Sequence, residues 1–287
     1  MQHRVTSKIQ RALGRVDAHL GTELNAGLDV ALSLPRRVAA HPLDRARIAL
    51  AAVLLSTDRV DRTLRLRVRG VEEPMSFRVP DWAAMRVLEE VFVKGEYDIV
   101  LPRPPRAILD LGSNIGASIL YFAWRYPNAR IIGVEPSREL FPILRANVGA
   151  LPNVTLHNAA ISAASGEVEF REGDASWSGS TQVGAAGGPE RYVVPAVGLD
   201  ELLARQPIDL VKFDVEGAEF DVLPASRRLT EVMAILGEIH ARPGTPQTES
   251  ILSLFSDYAI HLGPADWTGG WFTNFSAVRR RTAMPTS

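Results

Sequence analysis

The chain has 287 residues, 46% hydrophobic and 23% charged, enough apolar material for one large α/β domain or a domain of roughly 180 residues with an appendage. Its 32 basic and 33 acidic residues leave a formal charge of −1, which excludes an overall electrostatic pull onto nucleic acid. The absence of cysteine excludes disulfides, thiolate zinc sites and a cysteine nucleophile.

Residues 1–15 are polar and basic with no apolar core, so no secretory leader is expected. The longest strongly apolar stretch, residues 48–55, is far shorter than the ~20 residues that span a bilayer. A cytoplasmic protein without a membrane partner is expected.

Apolar spacing predicts helices over residues 7–32 and 43–55, punctuated by Pro35 and Pro42. Leu64-Arg-Leu-Arg-Val-Arg69 alternates apolar and basic residues, the period of a half-exposed strand, and residues 75–79 supply a hairpin partner. Asp81 is an expected N-cap for a helix running to about residue 93. The proline-rich break at 101–105 ends this part. The expected division is an N-terminal helical and hairpin extension, residues 1–100, serving as a lid or dimerisation surface, and a second domain, residues 101–287.

Beyond the break the pattern alternates. Strands are expected at 107–111, 130–134, 154–161, 210–214, 232–239, 258–262 and 272–279, with short ones at 168–171 and 192–197 around a glycine-rich loop. Helices are expected at 116–126, 137–148, 201–205, 218–223 and 248–257. Such alternation implies a mostly parallel sheet with helices on both faces.

The strongest motif is Ile108-Leu-Asp-Leu-Gly-Ser-Asn-Ile-Gly116, a buried strand running through a glycine turn into a helix. Gly112 and Gly116 remove side chains where backbone passes close to a ligand, and Ser113 and Asn114 complete the turn. A pyrophosphate-binding turn would read G-x-G-x-x-G; here Asp110 stands at the strand end, unwelcoming to phosphate and suited to a cationic amino group. S-adenosylmethionine has that group and a sulfonium. Glu135, before Pro136 at the end of the second strand, suits two ribose hydroxyls. Asn158, Ala159 and Ala160 leave room for an adenine edge.

Beyond these elements the chain resembles the FkbM family of methyltransferases from about residue 77 to 279. The resemblance rests on Glu96-Tyr97, the glycine motif, Val134-Glu-Pro136, Asn158-Ala-Ala-Ile-Ser162, Asp209-Leu-Val-Lys-Phe-Asp-Val-Glu-Gly-Ala-Glu219 and Glu238-Ile-His240. It implies a Rossmann-like class I methyltransferase sheet with an N-terminal extension. It also implies methylation of a hydroxyl on a sugar or polyketide-type natural product, and a Tyr97 that approaches the donor. Packing beneath the N-terminal segment is that tyrosine's other reading.

An aliphatic hydroxyl is a poor nucleophile until its proton leaves, so a base or a metal is expected. Asp214 and Glu216 follow the fourth core strand, and Glu238 and His240 end the fifth. Adjacent strands lie about 4.8 Å apart, so these groups converge. His240 is the leading base, because the ordinary histidine pKa of about 6.5 suits proton removal near neutrality. A magnesium ion held by Asp214, Glu238 and His240 is the alternative. Glu219 reads as a helix-capping carboxylate and Lys212 as structural. Trp177 and Ser178, in a loop of small residues, are candidate acceptor contacts. Two rivals stand beside this reading: a nicotinamide-dependent oxidoreductase, which the glycine spacing disfavours, and a catalytically inactive methyltransferase-fold binding or assembly module. A homodimer and a small hydroxylated substrate are the expected partners.

Overall fold

The computed structural model describes residues 18–57, 63–173, 190–263 and 272–280, with side chains from residue 24 on. Trp177 and Ser178 lie outside the described residues. The chain divides into two compact units, Met1–Gly95 and Glu96–Ser287. No described helix is long and apolar enough to cross a membrane.

The first unit contains helices α1 (Ala18–Val38) and α2 (Pro42–Leu55), the antiparallel ribbon β1 (Leu64–Val68) and β2 (Met75–Val79), and α3 (Trp82–Glu89), which continues as a π-helical turn, Glu90–Lys94. Pro35 does not end α1 as expected. The helix runs three residues past it without the bond that its missing N–H would have made, and Ala39 N closes the last turn on Pro35 O at 3.1 Å. Pro42 opens α2 instead, where a missing N–H costs nothing. The ribbon alternates as its sequence predicts, with Leu66, Val68, Phe77 and Val79 buried and Arg65 and Arg67 exposed. Asp81 caps α3, accepting from Ala84 N at 2.7 Å.

The second unit is built on a seven-stranded sheet in the order β11-β12-β10-β9-β3-β4-β5. Its strands are β3 (Ala107–Leu111), β4 (Arg130–Val134), β5 (Val154–His157), β9 (Leu210–Phe213), β10 (Ala234–Ile239), β11 (Tyr258–Leu262) and β12 (Thr273–Arg279). The five strands from β10 to β5 run parallel, and β12 is antiparallel to both neighbours. This is an open, mostly parallel, Rossmann-like sheet. Every residue of β3 and β9 is buried, so both faces are covered.

A second sheet, ordered β6-β8-β7, comprises β6 (Ala160–Ser162), β7 (Gly166–Arg171) and β8 (Arg191–Gly198). The single strand expected over 154–161 is thus two, in different sheets. The break falls at Asn158, whose amide nitrogen donates to Glu135 O at 2.8 Å and Pro136 O at 3.3 Å instead of letting a ladder continue.

β3 has β4 and β5 on one side and β9 and β10 on the other, so strand order reverses between β3 and β9. Open α/β sheets bind ligands at the carboxyl end of such a switch point.

Candidate active site

Two helices follow these strands, α4 (Ala117–Arg125) after β3 and α5 (Leu140–Val148) after β4. The turn between β3 and α4 needs both glycines. Gly112 has φ 74° and Gly116 φ 92°, and a Cβ on Gly112 would lie 1.7 Å from the Asp214 carbonyl oxygen. Asn114 and Glu216 are the described non-glycine residues with positive φ, both at 50°, and both stand at this edge of the sheet. Such backbone is costly and concentrates at functional sites.

Asp110 is fully buried. Its Oδ2 accepts from Ser118 Oγ at 2.7 Å, whereas among the described residues its Oδ1 accepts no hydrogen bond. Lys212 Nζ stands 3.4 Å from that Oδ1 but donates to Gly112 O at 2.6 Å. Burial pushes the Asp110 carboxyl above its ordinary value, and Lys212 and the serine hydroxyls offset only part of the rise. A buried carboxylate oxygen with unused acceptor capacity fits a ligand's ammonium group.

Glu135 follows β4. Asn114 N donates to its Oε2 at 2.8 Å and Ser137 N to its Oε1 at 2.9 Å. Burial outweighs both bonds and pushes its pKa up to about 7. Each carboxylate oxygen keeps a second lone pair for a ligand hydroxyl. Asn158 has committed its amide nitrogen to backbone, which leaves its side-chain oxygen for contact; Ala159 and Ala160 beside it are buried. Ser113 is buried with its hydroxyl donating to Asp110 O at 3.0 Å, so it holds the turn.

Tyr97 is 4% exposed, stacked on Phe122 with ring centroids 5.9 Å apart, and Lys212 Nζ lies 5.6 Å from its ring. Lys212 does more than fill space. It faces Asp110 directly across the β3–β9 pairing and stands 3.8 Å from Asp214 Oδ2. Burial alone would lower its pKa, but the Asp110 and Asp214 charges dominate and raise it.

At the tips of β9 and β10 the structure gathers Asp214, Glu216, Glu238 and His240. His240 Nε2 lies 3.4 Å from Glu216 Oε2, 3.7 Å from Glu238 Oε2 and 3.8 Å from Asp214 Oδ1. The fully buried Glu219 does what sequence reasoning did not foresee. Its Oε2 accepts from Gly217 N at 2.9 Å, its Oε1 accepts from His240 N at 2.6 Å, and Oε1 also meets His240 Nδ1 at 3.1 Å. It therefore fixes the ring with Nε2 toward the other three carboxylates. The only sequence hint was a second acid three residues after Glu216, which reads equally well as a helix cap.

This setting corrects the expectation for His240. Burial alone would lower its pKa, but the Glu219 hydrogen bond and the charges of Glu219, Glu216 and Asp214 outweigh it and raise it to about 9. A neutral base near pH 7 therefore requires a further positive charge nearby. Burial, with Asp214 and Glu219 adding to it, holds the Glu216 carboxyl above its ordinary range. Among the described residues, Asp214, Glu238 and His240 offer metal-ligand atoms within 4.8 Å of one another.

The chain is 31% identical over 200 residues to the AMB antimetabolite synthetase AmbE of Pseudomonas aeruginosa, covering 54% of this chain and 9% of AmbE. It is 25% identical over 207 residues to the hexuronic acid methyltransferase AglP of Haloferax volcanii, covering 66% of this chain and 84% of AglP. It is 29% identical over 161 residues to the 2-O-methyltransferase NoeI of Sinorhizobium fredii, covering 48% of this chain and 65% of NoeI. The chain thus spans less than a tenth of AmbE and just under two thirds of NoeI. Residues 110–261, more than half of its length, match the Methyltransferase FkbM domain, a span containing the glycine turn and the Asp214–His240 cluster, and the chain belongs to that family of methyltransferases.

Proposed function

We propose that this methyltransferase uses S-adenosylmethionine to methylate a hydroxyl group of a sugar or polyketide-type natural product. The observation that carries the donor assignment is the buried Asp110 oxygen with unused acceptor capacity, one strand away from Glu135. In this reading Asp110 takes the donor's amino group and Glu135 the ribose hydroxyls. Asn158, Ala159 and Ala160 meet the adenine, and Gly112, Ser113, Asn114, Gly116, Pro136 and Tyr97 shape the surrounding wall. Bound S-adenosylmethionine supplies a methyl already activated on a sulfonium. The names of AglP and NoeI support a sugar-type hydroxyl as acceptor.

The chain's own work is then orientation and proton removal. Orientation can supply roughly 7–11 kcal/mol of barrier reduction, and a general base typically adds about 10²–10⁴-fold. His240 is the base: Glu219 holds Nδ1, so Nε2 is the nitrogen that receives the acceptor proton. A positive charge brought to this edge, as the donor's sulfonium would be, would weaken the hold of Asp214, Glu216 and Glu238 on the imidazole proton and free Nε2 for this role. Incubation with isotopically methyl-labelled donor and a panel of glycosides and hydroxylated natural products, read by mass increase, tests the proposal. Donor binding by calorimetry without transfer to any hydroxyl would favour the inactive binding module instead.

The convergence of Asp214, Glu238 and His240 favours a second reading, in which a divalent ion such as magnesium is held there and polarises the acceptor hydroxyl. Ligands of one such ion at about 2.1 Å stand roughly 3–4 Å from one another, as these do from His240 Nε2. Activity that survives exhaustive chelation and is unchanged by added magnesium removes this reading.

A further inference from the structure

A buried carboxylate outside every motif ties the Glu135 loop to the smaller sheet. Glu172, the residue after β7, is 7% exposed and accepts hydrogen bonds from Ser137 Oγ and Tyr192 OH. Ser137 is the residue whose backbone N–H holds Glu135 Oε1. Its hydroxyl oxygen already accepts from Leu140 N at 2.9 Å, capping the start of α5, so its proton needs another acceptor. Glu172 is that acceptor. Tyr192, on β8, extends the tie by accepting from Arg138 N at 2.9 Å, with the Arg138 guanidinium 4.1 Å above its ring. Arg138 also donates to Val193 O at 3.0 Å. Ser137 and Arg138 are thus pinned from the smaller sheet through both side chain and backbone.

Burying a carboxylate is costly, and apolar contacts would join two sheets without that cost. What the carboxylate adds is direction, because it fixes the hydroxyl rotor and backbone of the residue that orients Glu135. We infer that Glu172 is a positioning residue for donor binding, acting through Ser137 on the Glu135 carboxylate. This rests on the reading of Glu135 as the ribose-binding group.

The test is the calorimetric affinity of the full chain for S-adenosylhomocysteine, measured beside the melting temperature without ligand. Glu172→Ala is expected to weaken binding by about 10-fold, the lower end of the loss seen when a group orienting a ligand-holding residue is removed. Glu172→Gln keeps an acceptor oxygen for Ser137 and restores affinity to within about 3-fold of the parent, which a mere packing defect would not do. The decisive arm is the double variant Glu135→Gln/Glu172→Ala. Positioning through Glu135 makes its loss no larger than that of Glu135→Gln alone, whereas independent effects add. If Glu172→Ala does not fold, Ser137→Ala cuts the same tie from the other side and is expected to cost a similar factor. Unchanged affinity in Glu172→Ala, or additive losses in the double variant, overturns the inference. Unchanged affinity in Glu135→Gln overturns the ribose assignment itself.

Discussion

The two edges of the main sheet treat buried carboxyl groups in opposite ways. At the amino edge, Asp209 accepts from Arg103 Nη2 at 2.6 Å and Arg106 N at 2.6 Å. Burial would raise its pKa, but those bonds and the two guanidinium charges outweigh it and hold it at about 2. At the carboxyl edge burial wins, and Asp110, Glu135 and Glu216 are all pushed upward. There five acids, Asp110, Asp214, Glu216, Glu219 and Glu238, share Lys212 and His240 as cationic partners. At the amino edge Asp209 is matched by arginines of its own chain. Among the described residues, the ion pairs at the carboxyl edge set five acids against two cations, a condition that favours a positively charged ligand.

The sharpest way to break this comparison is to remove charge at Asp110. Asp110→Asn is expected to weaken S-adenosylmethionine binding by about 10²-fold or more, since an ion-paired contact becomes a neutral one. Calorimetry giving parental affinity for that variant would mean that the excess charge does not serve the donor. His240→Ala should separate binding from chemistry, keeping donor affinity while slowing transfer by about 10²-fold. Equal loss of binding in both variants would merge the two roles. At the opposite edge, Asp209→Asn should cost about 1–3 kcal/mol in chemical denaturation and leave donor affinity unchanged. A change in affinity there would dissolve the contrast between the edges.

Proton linkage gives the subtlest test. Glu135 is raised from 4.5 to about 7 and His240 from 6.5 to about 9, so the folded chain holds both protons more tightly than the unfolded one. Their contribution to stability is complete below the ordinary values and is lost as pH rises, over 4.5–7 for Glu135 and 6.5–9 for His240. The melting temperature of the ligand-free protein should therefore fall between pH 6.5 and 9, and His240→Gln should flatten the fall. A flat parental profile would mean that the ring is not held protonated.

Much of this was legible in one sequence because it is local. The strands at 107–111, 130–134 and 258–262, the Asp81 cap and the ribbon of alternating arginines all follow from short-range pattern. The strand expected over 154–161 was misread because its interruption depends on Asn158 reaching the Glu135 and Pro136 carbonyls, which periodicity does not report. The residues that support the site were hidden for the same reason. Lys212 meets Asp110 only through strand register, Glu219 meets His240 across 21 residues, and Glu172 meets Ser137 across 35. The pKa of His240 followed suit: its ordinary value was known, but the carboxylates that shift it, Asp214, Glu216 and Glu219, come from the tip of β9 and the residues just beyond it.

The contact between Gly112 and the Asp214 carbonyl carries a lesson for redesign. Any side chain at 112 would collide with the neighbouring strand's main chain, so the turn after β3 and the tip of β9 interlock without intervening atoms. They must be inherited as one cassette. A chimera with its junction between 112 and 214 must keep glycine at 112 and the strand spacing across this seam, while exchanges outside that cassette leave it intact.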